Sequence, residues 1–219
     1  TTHSVTGYDF SASSNLYTQA DMSFTGEAQA HGIDVKSADE GKYLMGLTSS
    51  QFANTSANFT DVEFVVADGW LKIDPISTQV VVNVKGNTST AAYDSTEKSV
   101  LGYNVESFNH PKYNASYVAF SGKAEAKGTD AGTYNMGLTA GDFSNNSLKF
   151  NNAVFNISDG ALIINPITST VNVSITENSG SETYDGTEHK ITGYKLSGID
   201  NSLYTETDFT FNGTAMAKV

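Results

Sequence analysis

The sequence repeats itself at an interval of 91 residues, and this repeat limits the fold more than any other feature. The segment Gly41–Thr48 (GKYLMGLT) recurs as Gly132–Thr139 (GTYNMGLT), and Glu97–Tyr103 (EKSVLGY) recurs as Glu188–Tyr194 (EHKITGY), which begins a third copy. The same interval relates further aromatic, glycine, turn and proline positions: Phe52 to Phe143, Phe64 to Phe155, Asp68-Gly69 to Asp159-Gly160, Pro75 to Pro166, and Tyr93-Asp94 to Tyr184-Asp185. Such a chain is expected to fold as a tandem series of like modules.

The proline after the last strand of each copy marks the predicted module boundary. Residues 1–75 then form a first module that lacks its first strand, residues 76–166 a complete second module, and residues 167–219 a partial third module. We therefore expect the natural protein to extend beyond this chain. The first module differs from the second by an insertion, Gln29 to Glu40, with about five additional residues.

Each copy is predicted to be β-structure because apolar and polar residues alternate along its strands. Val80, Val82 and Val84 form one such alternating set, and about six short strands are expected in the complete module. The dipeptides Asp68-Gly69 and Asp159-Gly160 lie between apolar runs, which predicts a tight hairpin whose glycine has a positive φ.

A short helical turn is predicted after the Gly-Leu-Thr element of each copy. Thr48 precedes Gln51 by three residues, and Thr139 precedes Asp142 in the same way, which is the spacing of a capping box. The fold class is therefore all-β with one short helical turn per module. Two topologies fit this pattern, an immunoglobulin-like sandwich and a β-grasp-like sheet covered by the turn.

The module junctions contain almost no linker. Ile73-Asp74-Pro75-Ile76 leads directly from one strand into the next, and proline fixes φ at this point. An elongated, stiff array of sandwich-like modules is the predicted architecture.

Composition excludes several classes of function. The net charge is -12 and the sequence contains no arginine, so a nucleic-acid partner is not expected. Cysteine is absent, which rules out disulfides, thiolate catalysis and a zinc site with cysteine ligands. No apolar run approaches the roughly 18 residues that a membrane-spanning helix needs.

The repeated motifs resemble a known family. Tyr184-Asp185-Gly186-Thr187, the run Gly128–Tyr134 (GTDAGTY), Gly137-Leu138-Thr139 and Asp159–Pro166 (DGALIINP) are similar, in order and spacing, to the YDG and MBG repeats of bacterial extracellular adhesins. The resemblance covers essentially the whole chain and implies an extracellular location at a bacterial cell wall, in proteins some of which bind mucus. The earlier copy departs from it at Ser95, where Gly186 stands in the later one. The family implies no catalytic residues.

Groups that could carry catalysis or bind metal are scattered. The four histidines, His3, His31, His110 and His189, do not have the spacing of metal ligands, and no cofactor is expected. An acidic face of six residues is an alternative calcium site, but no calcium-loop motif is present, and a solvated surface is the preferred interpretation. Those six residues are Asp39, Glu40, Asp61, Glu63, Asp68 and Asp74. We predict that the protein is not an enzyme.

Trp70 and Lys72 are the predicted ligand-contact residues. Trp70 is the only tryptophan and should lie on the face of its strand opposite Leu71, where an exposed ring can stack on a sugar or anchor a protein interface. The second copy has Ala161 at this position, so such a role would belong to the first module alone.

The predicted function is that of a stalk or spacer in a bacterial surface adhesin. The alternative is a module that binds mucin glycans or a host protein such as immunoglobulin, and the insertion Gln29 to Glu40 bears on the choice because a spacer needs no such loop. Residues 167–187 contain the strand that the first copy lacks. Head-to-tail association of chains by strand addition is therefore a further hypothesis.

Overall fold

The computed structural model describes residues 1–37 and 41–219. Strands make up 40% of the chain, and within the described residues no helix reaches seven residues, so the predicted all-β class is confirmed. The strands are short and form small sheets of two or three members.

The first copy contributes six strands, counted over its described residues, in three antiparallel pairs. They are β1 (His3–Thr6) with β3 (Gln29–Gly32), β2 (Met22–Phe24) with β5 (Phe52–Asn54), and β4 (Lys42–Leu44) with β6 (Trp70–Lys72).

The second copy contributes ten strands, where the sequence predicted about six. They are β7 (Val80–Gly86), β8 (Thr88–Ala92), β9 (Lys98–Leu101), β10 (Tyr103–Phe108), β11 (Val118–Phe120), β12 (Glu125–Gly128), β13 (Gly132–Asn135), β14 (Phe143–Asn145), β15 (Ala153–Ser158) and β16 (Ala161–Asn165). The additional strands include polar ones such as β8, with sequence TSTAA, whose weak hydrophobic alternation hides them from sequence analysis.

Four sheets result in the second copy. Their strand orders are β10-β7-β15, β13-β16-β8, β9-β12 and β11-β14. β16 pairs antiparallel with β13 and parallel with β8, with Ala161 opposite Thr88. These pairings supply the strand order that periodicity alone left open.

The third copy contributes two antiparallel pairs. They are β17 (Val173–Glu177) with β19 (Tyr194–Ile199), and β18 (Lys190–Thr192) with β20 (Met216–Lys218). By the interval of 91 residues, β17 corresponds to β7 and β19 to β10, so the same pairing recurs in two copies.

The chain divides into two compact units, each discontinuous in sequence. Unit 1 comprises Thr1–Val84, Val105–Gly122 and Thr139–Ile157; unit 2 comprises Lys85–Asn104, Lys123–Leu138 and Ser158–Val219. Unit 1 therefore contains the first copy together with part of the second. The predicted boundaries at 75/76 and 166/167 are limits of the sequence repeat and remain a prediction.

Strands of different sheets lie close together within each unit. In unit 2, β9 and β12 pack against β16, and in unit 1, β3 packs against β4 and β6. Leu162 and Ile164 of β16 are buried in unit 2.

The predicted alternation on β7 is confirmed in unit 1. Val80, Val82 and Val84 are at most 1% exposed, while Val81 and Asn83 between them are less buried. A β-strand directs successive side chains to opposite faces, so one apolar face of β7 is fully removed from water.

The predicted hairpin at Asp159-Gly160 is wrong. The strands on either side, β15 and β16, pair in different sheets, and the equivalent Gly69 and Gly160 do not have a positive φ. Glycine is needed at 160 for close approach, because a Cβ there would lie 2.4 Å from the Asn87 carbonyl oxygen. At Gly69 a Cβ would lie 2.6 Å from Met45 Sδ.

Asp159 joins two motifs that the repeat shares. Its carboxylate accepts hydrogen bonds from the backbone N–H groups of Gly137 at 2.9 Å and Leu138 at 3.0 Å. Asp68 accepts the equivalent bonds from Gly46 and Leu47, at 3.1 and 2.8 Å. The recurring Asp-Gly and Gly-Leu-Thr motifs are thus two halves of one clasp.

The predicted helical turns are confirmed as 3₁₀ turns at Ser49–Gln51 and Ala140–Asp142. The Thr48 and Thr139 N–H groups each donate to the side chain three residues later, both at 2.7 Å. Sequence analysis missed a second turn in each copy, although Thr18 precedes Asp21 and Thr205 precedes Asp208 at the same capping spacing. These turns lie at Gln19–Asp21, Ala115–Tyr117 and Glu206–Asp208.

The first junction continues directly into the second copy. Ile76, which follows Pro75, forms a parallel bridge with Phe150 and donates its N–H to the Lys149 carbonyl at 2.8 Å. The residue after the proline is therefore already part of the next copy's hydrogen-bonded structure.

Candidate ligand-binding surface

The surface that carries Trp70 and Lys72 is the outer face of the β4–β6 pair. Trp70 is 49% exposed, and Leu44, directly opposite it on β4, is 57% exposed. Lys72 lies two residues after Trp70 on β6 and is opposite Lys42. We call Lys42, Leu44, Trp70 and Lys72 the tryptophan face. Trp70 is more exposed than Leu71, as its predicted position on the opposite face of the strand requires.

A cation lies over the indole ring, and an ion pair lies further along the same strand. The Lys42 ammonium lies 4.6 Å from the centre of the Trp70 ring, a cation–π distance, and Lys72 forms an ion pair with Asp74 at 3.2 Å. One face of the ring is therefore occupied by a cation of the same protein. The exposed ring can stack on a sugar. The lysine ammonium groups can donate hydrogen bonds to the hydroxyls or carboxylate of that sugar.

The described part of the insertion, residues 29–37, is fixed to the scaffold next to this face. The Tyr43 hydroxyl donates to the Asp34 carbonyl at 2.8 Å, and the Lys36 ammonium donates to the Lys42 carbonyl at 3.0 Å. Lys36 also lies 4.7 Å from the centre of the Tyr43 ring. Asp39 and Glu40 lie outside the described residues.

The insertion also contacts the second copy. Asp34 Oδ1 lies 2.8 Å from Lys149 Nζ, and this hydrogen bond raises the pKa of the Lys149 ammonium. Both side chains are about half exposed, so the pair orients the segment more than it stabilises the fold. Sequence analysis gave this loop a role only in ligand binding, and the contact shows a structural one.

Tyr43 and Tyr134 are equivalent in the repeat and make the same contacts in the first and second copies. Tyr134 donates its hydroxyl to the Asp130 carbonyl at 3.0 Å and lies against Gly128, where a Cβ would be 2.2 Å from the ring. Tyr43 lies against Gly32 in the same way. Glycine and tyrosine therefore recur together because the ring needs the space that a side chain would fill.

The Tyr-Asp motif is a second local clasp. Asp94 accepts hydrogen bonds from Lys98 at 2.6 Å and from the Thr96 N–H and hydroxyl, and these bonds lower its pKa to about 2. In the third copy Asp185 makes the equivalent contacts to Thr187, with His189 Nε2 at 2.8 Å in place of the lysine. The motif uses its carboxylate for structure.

The histidines are spread over the surface of different elements. His3 and His31 lie on β1 and β3, His189 contacts Asp185, and His110 accepts a hydrogen bond from the Lys112 N–H and packs edge-on to Phe150. In the described residues no group of three or more His, Asp or Glu side chains has a metal-binding arrangement. Of the six acidic residues in the alternative calcium site, Asp68 accepts hydrogen bonds from backbone N–H groups, and Asp74 forms an ion pair with Lys72.

A cavity of about 700 Å³ lies in the first copy, within unit 1. Its lining includes residues 8–14 and 61–67, together with Leu47 and Phe52. We call it the first-copy groove. Sequence analysis did not predict this cavity.

The sequence matches no protein-family model, no curated protein and no solved structure. In the described part of the chain, no helix is both long and apolar enough to cross a membrane.

Proposed function

We propose that this chain is a non-catalytic repeat segment of a bacterial extracellular surface adhesin, and that it acts as a stalk or spacer. The resemblance of its motifs to YDG and MBG repeats supports the location and the class of protein. The residues that the copies share form hydrogen bonds within the fold, which supports the role of a spacer.

One observation carries the spacer role: the first copy and part of the second belong to one compact unit. Ile76, the first residue of the second copy, bridges to Phe150 of the same copy immediately after Pro75, and Asp34 of the first copy forms an ion pair with Lys149 of the second. A junction that has a proline and almost no linker, with a side-chain pair between the copies, resists bending. Resistance to bending is what a spacer requires.

The repeated residues support the same role because their polar groups bind one another. Asp68 and Asp159 bind backbone N–H groups, and Asp94 and Asp185 bind their neighbouring threonines. No set of nucleophile, base and orienting residue is formed by these groups.

The spacer role is tested by placing the chain between a cell anchor and a binding domain of known target. With this chain as spacer, cells should adhere to a target buried under a polymer layer better than cells that carry a flexible Gly/Ser linker of equal residue number. The matched variant Trp70→Ala should adhere equally well. Equal adhesion with the flexible linker would contradict the proposal.

A second candidate function, binding of mucin glycans or of a host protein such as immunoglobulin, is favoured by the tryptophan face. Its exposed ring and leucine lie beside two lysines. Binding of the chain to a mucin-glycan array should then fall at least about tenfold in Trp70→Ala. Leu148→Ala, an exposed apolar position in the second copy, is the control and should bind normally. An unchanged signal for Trp70→Ala would exclude this face as the ligand site.

A further inference from the structure

In unit 2, the strand that ends the second copy is paired in parallel with a strand near the beginning of that copy. β8 and β16 run in the same direction over five residue pairs, the first between Thr88 and Ala161 and the last between Ala92 and Asn165. The Tyr93 N–H extends this ladder by donating to the Asn165 carbonyl at 2.9 Å. Because the strands are parallel, the beginning of β8 and the end of β16 lie at opposite ends of the pair.

In unit 1, an earlier part of the same copy has the same arrangement. Ile76 forms a parallel bridge with Phe150, and further along the Asn156 side chain donates to that of Asn83 at 3.2 Å. Residue numbers rise on both segments from the first contact to the second. β7 and β15, which are neighbours in one sheet, therefore also run in the same direction.

Tension along a series of repeats has a fixed path through the second copy. The chain enters this copy at Ile76 and leaves it at Pro166, because the first copy precedes it and the third copy follows it. In unit 2, the load reaches β8 at its first residue, Thr88, and leaves β16 at its last residue, Asn165. These two points lie at opposite ends of the parallel pair, so tension pulls the two strands past each other along their length.

Two strands that slide past each other must break their hydrogen bonds together, whereas strands that are peeled apart from one end break them one at a time. In the sheared pair the bonds share the load, and none can lengthen far without the others. Leu162 and Ile164 of β16, each 1% exposed, exclude water from one face of the ladder. Water therefore competes less for the bonds as they lengthen. The ladder should resist tension along the repeats better than it resists peeling.

We propose that the β8–β16 pair is a mechanical clamp that keeps the second copy folded while the chain is under tension. The inference rests on the proposed spacer role for the source of this tension, which arises when a surface protein holds a cell to its target. A spacer that unfolds under load lengthens by up to about 3.3–3.6 Å for each released residue and loses its stiffness. The clamp opposes this loss.

Single-molecule force spectroscopy tests the clamp, because the chain has no cysteine and the pulling points can be chosen freely. One variant of the full chain carries Thr88→Cys with Thr168→Cys and loads the pair in shear. A second carries Ala92→Cys with Thr168→Cys and peels β8 from the end that holds Asn165. The three substituted positions are exposed. At one pulling speed, the mean unfolding force should be at least about twofold higher in shear. Equal forces would overturn the proposal.

A pair of proline substitutions in β8 tests whether the ladder itself bears the load. Successive N–H groups of a strand point to opposite sides, so the Ala91 N–H points toward β16, as that of Tyr93 does, and the Thr90 N–H points away. In the described part of the chain β8 is an outer strand, where proline is tolerated if its nitrogen faces away from the partner. In the shear geometry, Ala91→Pro should lower the unfolding force toward the peeling value, and Thr90→Pro should retain most of the native force.

Equal shear forces for Ala91→Pro and Thr90→Pro would also overturn the proposal. Circular dichroism checks that both variants fold; if Ala91→Pro does not, the comparison of the two pulling geometries decides alone. The clamp and the spacer role can fail separately, because adhesion through a polymer layer measures reach and the pulling experiment measures strength. A high shear force with adhesion no better than that of the flexible linker would retain the clamp and contradict the spacer role. Equal forces with better adhesion would contradict the clamp alone.

Discussion

Ser95 and Gly186 occupy equivalent positions of the repeat and share a left-handed backbone conformation, with φ of +63° and +79°. Each follows the aspartate of the Tyr-Asp motif, Asp94 or Asp185, whose carboxylate turns back to bind the threonine two residues later. The turn therefore fixes the conformation, and the serine adopts it although a Cβ disfavours it.

Replacing Ser95 by glycine should stabilise the protein. The left-handed conformation costs an L-residue roughly 1–2 kcal/mol, and the greater freedom of glycine in the unfolded chain returns part of that, for a net gain of about 0.5–1 kcal/mol. Urea unfolding followed by circular dichroism measures the change. Ser99→Gly, on β9, is the control and should lose about 0.5–1 kcal/mol. Destabilisation by Ser95→Gly would show that the turn does not need this conformation.

Removing the Asp159 carboxylate should destabilise the second copy. Asp159→Ala leaves the N–H groups of Gly137 and Leu138 without their acceptor, and Leu138 is buried, so we expect a loss of about 1–2 kcal/mol. Asp130→Ala provides the comparison, because only the backbone carbonyl of Asp130 contacts Tyr134. Hydrogen exchange should locate the change at the Gly137 and Leu138 amides. Equal stability of the two variants would remove the clasp from the account.

Acid should release the Asp94 clasp. The Lys98 and Thr96 hydrogen bonds hold the pKa of Asp94 at about 2, below the value of about 3.9 in an unfolded chain. A carboxylate with a lowered folded-state pKa contributes stability that is present above its unfolded pKa and is lost as the pH falls through the folded value. The contribution should therefore disappear between about pH 4 and pH 2.

Carbon-detected NMR titration of the side-chain carboxyl measures this pKa directly. In Lys98→Met the midpoint for Asp94 should rise toward the unfolded value, because the strongest hydrogen bond is gone. A midpoint near 3.9 in the native protein would contradict the geometry of the clasp.

The parts of the fold that sequence analysis predicted correctly have strong local patterns. Val80, Val82 and Val84 alternate in sequence and are buried on one face, and the capping pairs after Thr48 and Thr139 form the expected turns. These features depend on residues that are close together in the sequence, so the sequence alone predicts them.

The errors have a different origin, since they depend on contacts distant in sequence. The position of Gly160 between two apolar runs predicts a hairpin, but the strands on either side of it, β15 and β16, belong to different sheets. Glycine is needed at this position because a side chain would collide with the Asn87 backbone. The exposure of Trp70 could be predicted from strand alternation. The position of Lys42 over its ring could not, because it depends on how β4 pairs with β6.

The Asp34–Lys149 pair could not be predicted either. The extra residues between Gly32 and Gly41 have no equivalent in the second copy, so the repeat provides no pattern for the contacts that this loop makes with Lys149. It bears on function because it connects two copies, and it should limit their relative motion.

The stiffness of the junction is the central claim, and pulsed electron spin resonance tests it most directly. Spin labels on Leu44→Cys and Leu148→Cys, exposed positions in the first and second copies within unit 1, report the separation of the copies without interference from native cysteine. We predict one narrow distance distribution, which broadens in Lys149→Ala. A broad distribution in the otherwise native chain, like that of two modules on a flexible linker, would contradict the account.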